Sequence, residues 1–238
     1  MATTRAPRPI PLFLTALVAF FSALAALAVS NGMAHAHGNR THDQATMSVT
    51  VSHSPTLTKK AVALRADMRK LWEDHITWTR LAIISLEGGT PDTQATVARL
   101  LKNQTDIGNA LKPFYGKAAG EKVTQLLRQH ILIAADVIAA AKAGGDNAKL
   151  TDAQARWLAN ANQIAAALHT VNPRYWPLGT LKAEMRMHLR LTTDEAVARL
   201  HRDWTGDVAS YDKVHRHILH MSDLLAQGLI KQFPKRFR

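Results

Sequence analysis

Cysteine is absent from all 238 residues, which excludes disulfides, zinc-thiolate sites, iron–sulfur clusters and covalently attached c-type haem. Acidic residues are scarce too: 18 Asp and Glu stand against 30 Lys and Arg, a formal net charge of +12. The chain has no glycine-rich phosphate loop and no apolar alternation of strand type, which argues against nucleotide-binding α/β folds. It also carries no specific nucleic-acid motif. Apolar residues, by contrast, make up 47% of the chain, enough to pack a core and too many for wholesale disorder.

Residues 1–36 have the order of an export signal. Arg5 and Arg8 precede an uncharged apolar run from Ile10 to Val29, and Ala34-His35-Ala36 puts small residues where a signal peptidase reads. Cleavage after Ala36 leaves His37 first, and cleavage after Ala34 leaves His35 first. An uncleaved membrane anchor is the alternative, because the run approaches the roughly 20 residues that span a bilayer. Either reading puts the domain outside the cytoplasm, extracellular or periplasmic. A chain this basic is expected to be drawn to anionic envelope surfaces. Residues 37–55 are polar and lack apolar periodicity, which predicts a flexible lead; with His35, its His37 and His42 are of the kind that take up copper or nickel adventitiously.

The domain proper is 56–238. Leu, Ala and Ile recur there at helical spacing, broken only by short Gly or Pro clusters. The pattern predicts an all-α fold, an antiparallel up-and-down bundle of about six helices with hairpin repeats. The first helix is expected from Thr58 to Glu87, the second from Thr90-Pro91 to Lys112-Pro113, and the third from Lys117 to Ala143. A capping box, Thr151-Asp152-Ala153-Gln154, opens a fourth that ends at Asn172-Pro173. The fifth is expected from Leu178 to Leu191, and a second box, Thr192-Thr193-Asp194-Glu195, opens a sixth reaching Gln232.

An internal echo runs through these helices. Ala98-Arg99-Leu100 with Asn103 is matched by Ala155-Arg156-Trp157 with Asn160, and again by Ala198-Arg199-Leu200 with Asp203. His75, His130 and His188 recur on the same scale and are expected at similar depth in a common interior. Imidazole is the commonest nitrogen ligand for transition metals, and a bundle interior gathers side chains from distant helices. The candidate site for a divalent transition metal is therefore His75, His130 and His188 with Glu73, Glu184, Asp203 and Asp207. Glu184 and His188, like Asp203 and Asp207, share a helix face by spacing; Glu73 and His75 do not. Glu-x-x-His motifs of a di-iron site are lacking. A plainer reading gives each imidazole a hydrogen bond to Asn103, Asp106, Asn160 or Asn162 in a packing network. Arg80, if buried, requires an acidic partner, Asp106 or Asp207. Glu73, Glu184 or Asp207 would serve as acid or base in a hydrolase or transferase. The five Trp and Met185, Met187 and Met221 are expected to pack between helices.

Three stretches resemble a group of small exported bacterial all-helical proteins of unsettled biochemistry: Leu71-Trp72-Glu73-Asp74-His75-Ile76-Thr77-Trp78-Thr79-Arg80, Asn103 to Pro113, and Gly228-Leu229-Ile230-Lys231-Gln232-Phe233. The resemblance covers about Leu64 to Phe237 and implies a single helical domain. Some members carry enzyme names such as glycosyltransferase, but no Asp-x-Asp motif on a nucleotide-sugar fold is present here. The resemblance brings no catalytic residue with it.

Overall fold

The computed structural model describes residues 57–144 and 147–238. The expected export signal, the lead with its histidines, and Gly145 lie outside the described residues. Regular structure among the described residues is entirely helical: α1 (Lys59–Gly88), α2 (Thr93–Ala143), α3 (Asn147–Val171), α4 (Leu178–Leu200), α5 (Trp204–Gln232) and a terminal 3₁₀ turn, Pro234–Phe237.

Several ends fall where local chemistry predicts. The Thr58 hydroxyl accepts from the Ala61 N–H to cap α1, and Gly89, at φ 61°, closes it in the left-handed conformation. Asn172-Pro173 stops α3, and α4 begins at Leu178. The start of α2 lies slightly beyond Thr90-Pro91, with Asp92 at its N-cap; the Asp92 carboxylate accepts from the Ser85 and Thr90 hydroxyls.

Other boundaries differ. The chain does not break at Lys112-Pro113: Pro113 sits inside α2, and the turn comes at Gly116, with φ 83° and ψ 170°, a region open to glycine alone. The two limbs of α2 fold back on each other there. A Cβ on Gly108 would come within 2.6 Å of the Gly120 carbonyl, and Arg128 on the second limb donates to the Leu101 carbonyl on the first. Neither capping box caps. α3 has already begun at Asn147, and the Thr151 hydroxyl donates back to the Asn147 carbonyl. Thr192 to Glu195 lie within α4, where the Thr193 hydroxyl donates to the Leu189 carbonyl and Glu195 is wholly buried. The true break is at His201 to Asp203, where Arg202 takes φ 61° and the Asp203 carboxylate caps α5 through the Gly206 N–H at 2.9 Å.

Consecutive helices pack on one another, and α5 returns to α1. The main core runs from Met68, Trp72 and Ile76 through Trp157 and Ile164 to Trp176, Met185, Ile218 and Met221. Trp204 and Met187, expected between helices, are exposed instead.

The echo in the sequence has a counterpart in hydrogen bonding. Asn103 donates to the Leu71 carbonyl at 3.0 Å and Asn160 to the Leu126 carbonyl at 3.1 Å. His217 Nε2 donates to the Glu184 carbonyl at 3.2 Å. Each accepting carbonyl lies one turn before a histidine: His75, His130 and His188 in order. Three hairpins thus share one construction, in which the second helix reaches across to the carbonyl below the first helix's histidine. They are α1 with the first limb of α2, the second limb with α3, and α4 with α5.

Candidate functional site

Because the three hairpins are alike, their histidines arrive at one depth from three sides. His75, His130 and His188 are 2%, 3% and 4% exposed. The His75 and His188 ring centres are 5.8 Å apart, and those of His130 and His188 are 6.0 Å apart. A fourth imidazole, His217, lies parallel to His188 at 6.2 Å and extends the row outward. Its Nδ1 is 3.7 Å from Glu184, as is Nε2 of the exposed His220. Trp72 meets His75 edge-on at 5.6 Å, and Trp157 lies against His130 at 5.4 Å.

The row is neutral at pH 7. Burial lowers the His75 pKa to about 3, assisted by His130 and opposed by a hydrogen bond from Gln104. Burial lowers that of His130 to about 4 against its bond with Asn160. His188 is pushed well below its ordinary value by burial and by its His75, His130 and His217 neighbours. His217 is lowered by burial, opposed by Glu184. Asn160 Oδ1, 2.8 Å away, accepts from His130 Nδ1, and the Gln104 amide donates to His75 Nδ1 at 3.1 Å. Several buried polar atoms here have no protein partner: His130 Nε2, His188 Nδ1, Gln104 Oε1, Trp72 Nε1, Trp157 Nε1 and Thr192 Oγ1.

Further along α1 and α4 lies a buried ion cluster. Arg80 donates at 2.8 Å both to Glu195 and to Asp207, with a second bond to Asp207 at 3.1 Å. Arg199 adds a bond to Asp207 at 3.3 Å, and Tyr211 covers the Arg80 guanidinium at 4.7 Å. Burial pushes the Glu195 carboxyl up to about 7 against the pull of Arg80, with Asp207 adding to the rise. Of the partners expected for Arg80, Asp207 is the one found; Asp106 is on the surface with Lys102.

The carboxylates do not join the imidazoles as expected. Glu73 points outward and accepts from His215 at 2.9 Å. Asp203 is exposed at the start of α5, so it and Asp207 do not share a face. The buried Asp207 is committed to its arginines. Glu184 alone approaches the row, through His217. Among the described residues no group of three His, Asp or Glu stands ready to hold a metal ion. Sequence reasoning had named Asn160 as a partner for a histidine but missed Gln104, His217 and Glu195. Gln104 follows directly on the echoed Asn103, a signal that was available; the role of Glu195 was hidden by its likeness to a capping box.

Between α1, α2, α3 and α4 lies an apolar cavity of about 50 Å³, lined by Ile83, Leu100, Ile131, Val137 and Trp157 among others. No protein-family model, curated protein or solved structure matches this chain.

Proposed function

We propose that the protein is an exported binding protein, an antiparallel up-and-down bundle that holds a divalent transition metal ion between His75, His130 and His188. The observation carrying this reading is that three equivalent hairpins each deliver one buried, neutral imidazole to the same place, with ring centres at 5.8 and 6.0 Å. Metal ligands must be deprotonated, and burial already keeps these imidazoles so. Imidazoles sharing a tetrahedral ion at about 2.0–2.1 Å hold their ring centres about 5 Å apart, so the rings must close in from 5.8 and 6.0 Å and turn their nitrogens toward one point to bind an ion. The Asn160 contact has the character of an outer support that fixes a ligand's tautomer and leaves Nε2 facing inward. His217 and Glu184 adjoin His188 on the outer side of the row.

The test is thermal unfolding of metal-stripped protein with zinc, copper, nickel, manganese or iron(II) added. Ligand at one hundred times its Kd stabilises the native state by about 2.7 kcal/mol, and His75→Ala, His130→Ala or His188→Ala should each abolish the gain. Absence of any shift in the wild type would leave the row as a packing network. An acid–base reading through Glu73 or Asp207 gains nothing here, because Glu73 faces outward and Asp207 is tied to two arginines.

A further inference from the structure

The two ends of the bundle differ in charge, a feature that owes nothing to the metal reading. Four segments meet at one end: the start of α1, the Gly116 turn of α2, the connection from α3 to α4, and the terminal 3₁₀ turn. The Thr58 hydroxyl donates to the Phe237 carbonyl, and Arg236 donates to the Pro113 carbonyl at 2.8 Å. Gln232 accepts from the Tyr115 hydroxyl and donates to the Val171 carbonyl. Each segment exposes cations there: Lys59 and Lys60, Lys117, Arg174, then Lys235 and Arg236. Residues 57–66, 112–122, 171–182 and 230–238 contain one acidic side chain, Glu121, which is already paired with Lys112 and Lys117 at 3.7 and 3.8 Å. The opposite end mixes signs, with Glu87, Asp92 and Asp203 among Lys142 and Arg202.

Folding does not account for this concentration. Lys59 and Lys60 occupy the first turn of α1, which holds no acidic residue, and a helix N-terminus disfavours cations. Like charges gathered at one end repel one another, and an external anionic surface relieves that repulsion. Apolar groups stand among them. Leu57 and Val62 are 46% and 52% exposed, and Val62, three residues on from Lys59, shares its face of α1. The Arg236 guanidinium lies over the half-buried Phe114 and Phe233 rings. A soluble polyanion would gain nothing from exposed Leu and Val, whereas a bilayer interface takes up charge and hydrocarbon together. We propose that this end of the bundle docks on the anionic headgroups of a phospholipid bilayer, with Lys59, Lys60, Lys117 and Lys235 meeting phosphates and Leu57 and Val62 entering the interface.

The test is flotation of metal-free, full-length protein with phosphatidylcholine vesicles that contain or lack phosphatidylglycerol. The anionic vesicles should bind it about tenfold tighter or more, and raised salt should remove the difference. Each Lys or Arg near an anionic surface is worth about fivefold in affinity. The Lys59→Gln/Lys60→Gln/Lys117→Gln/Lys235→Gln variant should therefore lose the preference. Lys102→Gln/Arg202→Gln/Lys213→Gln/Arg216→Gln removes the same charge elsewhere and should keep most of it. All three proteins carry the same N-terminal segment, so any hold exerted by its apolar run is common to them. Because the chain lacks cysteine, a fluorophore can be attached at Ala118→Cys, beside the Gly116 turn, or at His201→Cys, at the opposite end. A quencher within anionic bilayers should reach the first and not the second. Equal binding to the two vesicles, equal losses in the two variants, equal quenching at both ends, or tighter binding to soluble polyphosphate than to the vesicles would each overturn the proposal. The comparison of vesicles on the wild type holds even where a variant fails to fold.

Discussion

At the residue scale, the histidines and the Arg80 cluster carry the chemistry and also bear on stability. Replacing His75, His130 or His188 with Ala removes a packed ring and its hydrogen bonds, and should cost about 1–4 kcal/mol in metal-free urea unfolding. His201→Ala, at an exposed helix end, should stay within about 0.5 kcal/mol. Equal costs at all four positions would contradict the burial described. Arg80→Met should be harsher than an ordinary surface change, about 3–5 kcal/mol, because it strands Glu195 in the interior and leaves Asp207 with Arg199 alone; the Arg80→Met/Glu195→Gln double variant should recover part of that loss. The three histidines were legible in the sequence, since spacing along helices follows from local pattern; the need of a buried Arg80 for a carboxylate was legible too, but not the choice of Asp207 over Asp106. Glu195 was not, because the same four residues can cap a helix or lie inside one, and only the Arg80 side chain from another helix decides between them.

At the scale of elements, the long helices were legible because apolar periodicity integrates over many turns. Their ends depended on single competing interactions. Thr151 and Thr193 illustrate this: each hydroxyl donates to the carbonyl one turn back, so a residue type that favours caps continues the helix instead. Gly116 gives a clean test of what turns the chain. A Cβ there would meet nothing within 4 Å, yet its backbone stands at φ 83° and ψ 170°. Gly116→Ala should therefore cost about 1–3 kcal/mol through conformation alone, measured by chemical denaturation, with helical circular dichroism retained. An unchanged midpoint would mean that the limbs of α2 meet without needing this backbone state. The repeat of the hairpins was visible as an echo in the sequence, but its meaning, a side chain reaching the carbonyl beneath each histidine, appears only when the helices are paired. In the third hairpin His217, fourteen residues beyond Asp203, does what Asn103 and Asn160 do in the others, so the sequence match at Asp203 misidentified the equivalent position.

For the whole molecule, the buried imidazoles should govern how stability depends on pH. The native pKa values of His75 and His130 are about 3 and about 4 against an ordinary 6.5, and His188 is also well below it. Below pH 6.5 the unfolded chain therefore takes up protons that the native bundle refuses. Stability is fully present above pH 6.5 and is lost as pH falls toward the native values, by up to about 1.4 kcal/mol per pH unit for each fully engaged group. Glu195 acts in the opposite sense. Its native pKa near 7 against an ordinary 4.5 means that the native state keeps a proton which the unfolded chain releases, so its contribution declines as pH rises from 4.5 to 7. Glu87 and Asp194, both raised by burial, act with Glu195, and His217, lowered by burial, acts with the three histidines; the deeply buried imidazoles carry the larger shifts, and the net slope between pH 4.5 and 6.5 is positive. Asp223, held low by hydrogen bonds from Arg65 and Arg69, loses its contribution only below its ordinary 3.8 and so does not enter this window. In metal-free protein the urea midpoint should climb from pH 4.5 to 6.5 and level off near 7. His188→Ala should flatten that climb by roughly one group's share, and Glu195→Gln should steepen it. A flat profile in the wild type would mean that the imidazoles gain protons without unfolding the bundle, which requires water to reach them and contradicts a sealed row.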